Sequence, residues 1–129
     1  MMKPILVLDV DGVIHSDATP WVAAHIIPDP PVTGALAFIQ EALKEFRVAI
    51  FSSRSHQAGG IQAMKAWLLR WAQEDGKHIG NFEHVWLQEI EWPLHKPHAL
   101  VTIDDRAIMF TGTWPALADL LAFKPWNKT

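Results

Sequence analysis

Three apolar runs in this chain each stop abruptly at residues able to do chemistry. Leu8 gives way to Asp9-Val10-Asp11-Gly12, Phe51 to Ser52-Ser53-Arg54, and Ile103 to Asp104-Asp105-Arg106. Carboxylates drawn to one point repel by about 4 kcal/mol for two unit charges 4 Å apart at an effective dielectric of 20. Such a cluster is tolerable when some groups stay protonated or when a cation sits among them. An all-oxygen ligand set that leaves room for water and phosphate suits Mg²⁺ better than a soft metal. A bound cation would also offset the repulsion between the carboxylates and an approaching phosphate dianion. The acidic residues therefore predict both a metal and an anionic substrate. Asp9 and Asp11, where a strand bends into a loop, can both face such a site, one as nucleophile and one as proton donor to the leaving oxygen. Gly12 lets the backbone turn sharply and approach a phosphate.

For these clusters to meet, the runs before them must be neighbouring strands with a common direction. Pro4–Val10 is almost continuously apolar, as a parallel strand covered on both faces should be. From Thr33, the residues Leu36, Ile39, Leu43 and Phe46 recur at helical spacing. Arg47–Phe51 reads as a second buried strand. Gly59-Gly60 precedes an amphipathic helix with Ile61, Met64, Trp67, Leu68 and Trp71 on one stripe, ending before Gly76. A third strand is expected around His84–Leu87, a fourth over Ala99–Ile103 and a short fifth near Ile108–Phe110. A last helix is expected from about Trp114 to Phe123, its first turn suited to Pro115. The proline-bearing stretches Ser16–Pro31 and Glu89–His98 read as loops. This alternation predicts an α/β fold, a Rossmann-like doubly wound parallel sheet of about five strands, with residues 1–129 as one domain. Such sheets bind ligands beyond the carboxyl ends of their strands, the edge on which all three polar clusters fall.

At this point the residues resemble a known family. Asp9-Val10-Asp11-Gly12-Val13 after an apolar strand is similar to the first motif of the haloacid dehalogenase (HAD) superfamily of phosphohydrolases. Phe51-Ser52-Ser53-Arg54 resembles the second motif, Lys96-Pro97 the third and Ile103-Asp104-Asp105 the fourth, in the expected order over nearly the whole chain. The resemblance implies that Asp9 attacks phosphorus and that Asp11 acts as general acid and then general base. It implies that Ser52 or Ser53 hydrogen-bonds a phosphoryl oxygen near Gly12, while Lys96 neutralises phosphoryl charge. Asp9, Asp11 (through its carbonyl), Asp104 and Asp105 would hold or support Mg²⁺. Aspartate rather than threonine at position 11 favours phosphatase over ATPase chemistry.

Two features depart from the family pattern. Lys96 lies too close to Asp104 for the helix that normally separates these motifs, so Lys77 is the alternative cation. Neither connection where a cap could be inserted is long enough to hold one, so the likeness is to capless members. Their open sites accept large substrates or rely on an oligomer or protein partner for cover. Arg54 and His15 are candidates to contact substrate, and Trp21 and Trp92 sit in the loops where specificity would reside.

Composition narrows the field. A net charge of −3 argues against a general nucleic-acid surface, though not against a nucleotide or strand end as substrate. The absence of cysteine excludes a thiolate nucleophile and a Cys-based zinc site. No apolar run approaches the roughly 20 residues that span a bilayer, so a cytoplasmic chain is expected. The favoured reading is a Mg²⁺-dependent phosphatase acting on a phosphorylated small molecule, a nucleotide or a nucleic-acid end. A receiver-like phospho-Asp signalling module would use similar residues but in a different order. A non-catalytic binding module is the remaining alternative.

Overall fold

The computed structural model describes residues 2–75 and 81–128. In chain order it contains β1 (Ile5–Leu8), α1 (Ala35–Glu45), β2 (Arg47–Ile50), α2 (Gly60–Asp75), a 3-10 helix (Asn81–Glu89), β3 (Val101–Ile103) and α3 (Leu117–Leu121). The three strands form one open parallel sheet in the order β2-β1-β3. This is a small α/β fold compatible with a Rossmann-like arrangement. Among the described residues it is not the five-stranded sheet expected from the sequence.

The central strand behaves as its composition dictates. Leu6, Val7 and Leu8 are buried, as are Val48, Ala49 and Ile50 beside them in β2. The expected helical stripes also reach the core. Leu36, Ile39 and Leu43 of α1 and Met64, Trp67 and Leu68 of α2 are buried, with Ile61 and Trp71 packed alongside. α1 and α2 each present one apolar face to the core, and that burial rather than helix propensity is what holds them.

Two expected strands are absent. His84–Leu87 lies within the 3-10 helix, where Trp86, Leu87 and then buried Ile90 meet the core at helical rather than alternating spacing. The outer edge of β2 is capped instead by Glu91. Its N–H donates to the Val48 carbonyl and its carbonyl accepts from the Ile50 N–H, both at 2.9 Å. The Glu91 carboxylate also takes two hydrogen bonds from Arg47, at 2.9 and 2.7 Å, so a charged residue occupies the edge that an apolar strand was expected to fill. Ile108–Phe110 is likewise not a strand, and its three side chains are exposed. Phe110 packs locally on Trp114, ring centroids 4.8 Å apart, instead of joining a sheet. The last helix is shorter than expected and buries none of its residues. No helix among the described residues is long and apolar enough to cross a membrane.

The connections create a crevice. From β1 the chain steps to β2 on one side, then returns past β1 to place β3 on the other. The strand order therefore reverses at β1, and the gap between the carboxyl ends of β1 and β3 is where such sheets bind ligands.

Candidate active site

Register brings the first acidic group together. Leu8 pairs with Ile103, so Asp9 and Asp104 leave adjacent strands side by side, and the Asp9 N–H donates to the Ile103 carbonyl at 3.1 Å. Carboxylate oxygens of Asp9, Asp104 and Asp105 all lie within 4.8 Å of one another. Gly12 makes room for this. It adopts φ +81°, and a Cβ there would land on the Asp105 carboxylate. Burial, with the charges of Asp104 and Asp105 nearby, pushes the Asp9 carboxyl up to about 7 despite a 2.8 Å hydrogen bond from the Val10 N–H. Burial raises Asp105 as well. Its Oδ1 is buried with no hydrogen-bond partner. An unpartnered buried carboxylate oxygen beside two more carboxylates is a donor set that a hard divalent cation fits.

Asp11 has the opposite environment. Arg54 is buried and grips it, with Nε 3.0 Å from Oδ2 and Nη2 3.0 Å from Oδ1. The Nδ1 of fully buried His15 lies 2.9 Å from the same Oδ1, while its Nε2 accepts the Asp29 N–H at 3.0 Å. With Nε2 accepting, the ring proton belongs on Nδ1 and points at Asp11. Trp67 holds the ring edge-on, centroids 5.5 Å apart. Burial alone would raise the Asp11 carboxyl, but the hydrogen bonds from His15 and Arg54 outweigh it and hold it below the usual carboxylate range. Asp11, His15 and Asp17 also form a close group of would-be ligands. Arg54 already neutralises that group, so it does not suit a metal as Asp9, Asp104 and Asp105 do.

Both carboxylate groups border one cavity of about 400 Å³, lined by Asp9, Asp11, Asp17, Thr19, Pro20, Trp21, Ser53, Asp105, Arg106 and Lys128. The sequence-predicted residues divide accordingly. Asp9, Asp11 and Asp105 face the cavity, and Asp104 adjoins Asp9 and Asp105. Of the two serines, Ser53 lines the wall, whereas Ser52 is buried and its Oγ accepts the Arg54 N–H at 3.1 Å. Lys96 is exposed and is not part of the wall. Lys77 lies outside the described residues. Gly12 is buried, its N–H donating to the His15 carbonyl at 2.8 Å. Arg54 and His15, expected as substrate contacts, are instead internal braces. The Nη1 of Arg54 is spent on the carbonyls of Ala23, Ala24 and Ile26, and Trp21 stacks 4.4 Å from its guanidinium. Trp92 packs against the core rather than the cavity.

Sequence reasoning missed the segment around Trp126. Three consecutive side chains there reach three carbonyls of the loop after β1: Trp126 Nε1 to Gly12 at 2.7 Å, Asn127 Nδ2 to Ser16 at 3.0 Å and Lys128 Nζ to Asp17 at 2.6 Å. Asp17 adopts a left-handed backbone, φ 57°, at the point where its carbonyl meets Lys128. The only advance signal was a tryptophan whose N–H requires a partner, with no periodicity to say where. No protein-family model, curated protein or solved structure matches the chain.

Proposed function

We propose that the chain is a capless phosphomonoester hydrolase of the haloacid dehalogenase type that works through an aspartyl-phosphate. The observation that carries this reading is the close set of Asp9, Asp104 and Asp105 at the carboxyl ends of two neighbouring parallel strands. Asp9 attacks phosphorus, forming an Asp9 O–P bond as the bond to the leaving oxygen breaks. Water then attacks the same phosphorus, releasing inorganic phosphate and restoring the Asp9 carboxylate. Asp9, Asp104 and Asp105 would hold Mg²⁺, which, when bound, offsets carboxylate repulsion and stabilises charge on the phosphoryl oxygens.

Asp11 is prepared for one of its two roles more than the other. Held ionised by Arg54 and His15, it is ready to accept a proton from the attacking water. As a donor to the leaving oxygen it must first be protonated against the same two partners. That favours substrates whose leaving group departs without much help. Ser53, which lines the wall, would donate its hydroxyl to a phosphoryl oxygen. Trp21, half exposed at the same wall, offers an aromatic face that supports a nucleotide or nucleic-acid end as substrate.

The test is hydrolysis of an aryl phosphate by the purified chain with and without Mg²⁺. Turnover is expected only with the metal, and Asp9→Asn is expected to lower kcat by at least about 10³-fold, as removal of a nucleophile does. Equal rates for Asp9→Asn and the parent chain would sink the mechanism.

A further inference from the structure

A phosphate entering the cavity carries about two negative charges and meets Asp9, Asp11, Asp17 and Asp105 at the wall. Covalent phosphoryl transfer needs a cation on the phosphoryl oxygens as well as a metal. Among the cavity-lining residues the basic ones are Arg106 and Lys128. The Arg106 side chain is largely exposed, 64%, and only loosely paired, with Nε 3.9 Å from Asp105 Oδ2. Lys128 is held quite differently. It ends the strap formed by Trp126 and Asn127, each hydrogen-bonded to the loop that carries Asp11. One of its three N–H donors is used on the Asp17 carbonyl, and the Asp17 carboxylate is 3.6 Å away, so donors remain for a ligand.

On the phosphatase reading, we infer that Lys128 supplies the cation for the transferred phosphoryl group, the role that the family resemblance implied for Lys96. The strap is the device that delivers it. Trp126 and Asn127 fix the backbone of residues 126–128 against the β1 loop, so the ammonium group is carried to the same wall as the nucleophile. This also accounts for the short spacing between Lys96 and Asp104. A lysine arriving from the other end of the chain removes the need for a helix between them.

The chain contains no cysteine, which permits a selective chemical rescue. Lys128→Cys is expected to lower kcat/KM for an aryl phosphate about 10²-fold or more, the usual cost of losing one charge-stabilising donor. It should weaken inhibition by inorganic phosphate in parallel. Aminoethylation of that cysteine rebuilds a lysine analogue and should restore both, whereas carbamidomethylation, which adds no charge, should restore neither. Lys96→Met should stay within about twofold of the parent. Retained activity in Lys128→Cys, rescue by the neutral reagent, or an equal loss in Lys96→Met overturns the assignment while leaving the phosphatase reading intact. A parent chain indistinguishable from Asp9→Asn defeats that reading and this inference with it. Should the cysteine variant not fold, lysine acetylation of the parent chain replaces it. Inorganic phosphate with Mg²⁺ should slow labelling of Lys128 several-fold and leave Lys96 unaffected, and equal labelling of Lys128 with and without phosphate overturns the role.

Discussion

At the scale of single residues, the site is organised by giving neighbouring carboxyls opposite surroundings. Asp9 is half-buried among other acids, and Asp11 is half-buried against a guanidinium and an imidazole N–H. The separation raises the carboxyl of one group and lowers that of the other. Arg54 is what maintains the difference, since it joins Asp11 to three carbonyls of the 23–26 loop and is itself 2% exposed. Arg54→Met keeps much of the bulk but leaves Asp11 with an uncompensated charge. The expected loss is about 3–5 kcal/mol, the range for breaking one side of a buried pair, and urea unfolding would measure it. A loss below about 1 kcal/mol, as for an exposed ion pair, would show that the guanidinium is not a structural brace. The acidic residues were legible in the sequence because carboxylates at strand ends have few other reasons to cluster. The brace was not. Arg54 follows the serines like a hand reaching for substrate, and only the folded 23–26 loop reveals that its Nη1 donors are already taken.

At the scale of elements, position is set by register and by one close approach. Parallel pairing of Leu8 with Ile103 places two acidic strand ends together, and Gly12 lets Asp105 tuck beneath the turn. Gly12→Ala faces both a left-handed backbone and a collision with the Asp105 carboxylate. It is expected to cost about 1–3 kcal/mol of stability, in line with strain at a special backbone conformation. Because Asp105 must move, any stabilisation by Mg²⁺ should disappear too, and thermal scans with and without the ion would show both effects. An alanine variant that still responds fully to Mg²⁺ would mean the close approach is incidental. The helices α1 and α2 could be read in advance because their buried stripes are long enough to show a period. Residues 84–87 could not, because four residues fit a strand and a 3-10 turn equally well. What decides between them is the Glu91–Arg47 pairing at the β2 edge, a contact between residues far apart in sequence.

At the scale of the whole molecule, the cavity is assembled from chain segments near residues 9–21, 53, 105–106 and 128, so anything that binds there is linked to folding. The two carboxyls make this linkage depend on pH in opposite ways. Asp9 has its folded value raised from 3.8 to about 7, so the metal-free folded chain holds a proton that the unfolded chain releases. Its contribution therefore destabilises progressively as pH rises from about 4 to about 7. Asp11 is lowered, so its stabilisation is complete above about pH 4 and is lost only as acid takes the pH through its folded value. Between pH 5 and 8 the raised carboxyls of Asp9 and Asp105 act in the same direction, and the metal-free Tm should fall across that interval. Mg²⁺ requires ionised carboxylates, so it should reverse this fall and act more strongly at pH 8 than at pH 5. At 100 times its Kd the ion would add about 2.7 kcal/mol, or on the order of 10 °C for a domain of this size. Asp9→Asn should flatten the metal-free slope and remove most of the response to Mg²⁺. An equal response at both pH values, or one that survives in both Asp9→Asn and Asp105→Asn, would place the ion away from this crevice and leave the proposed nucleophile without a metal.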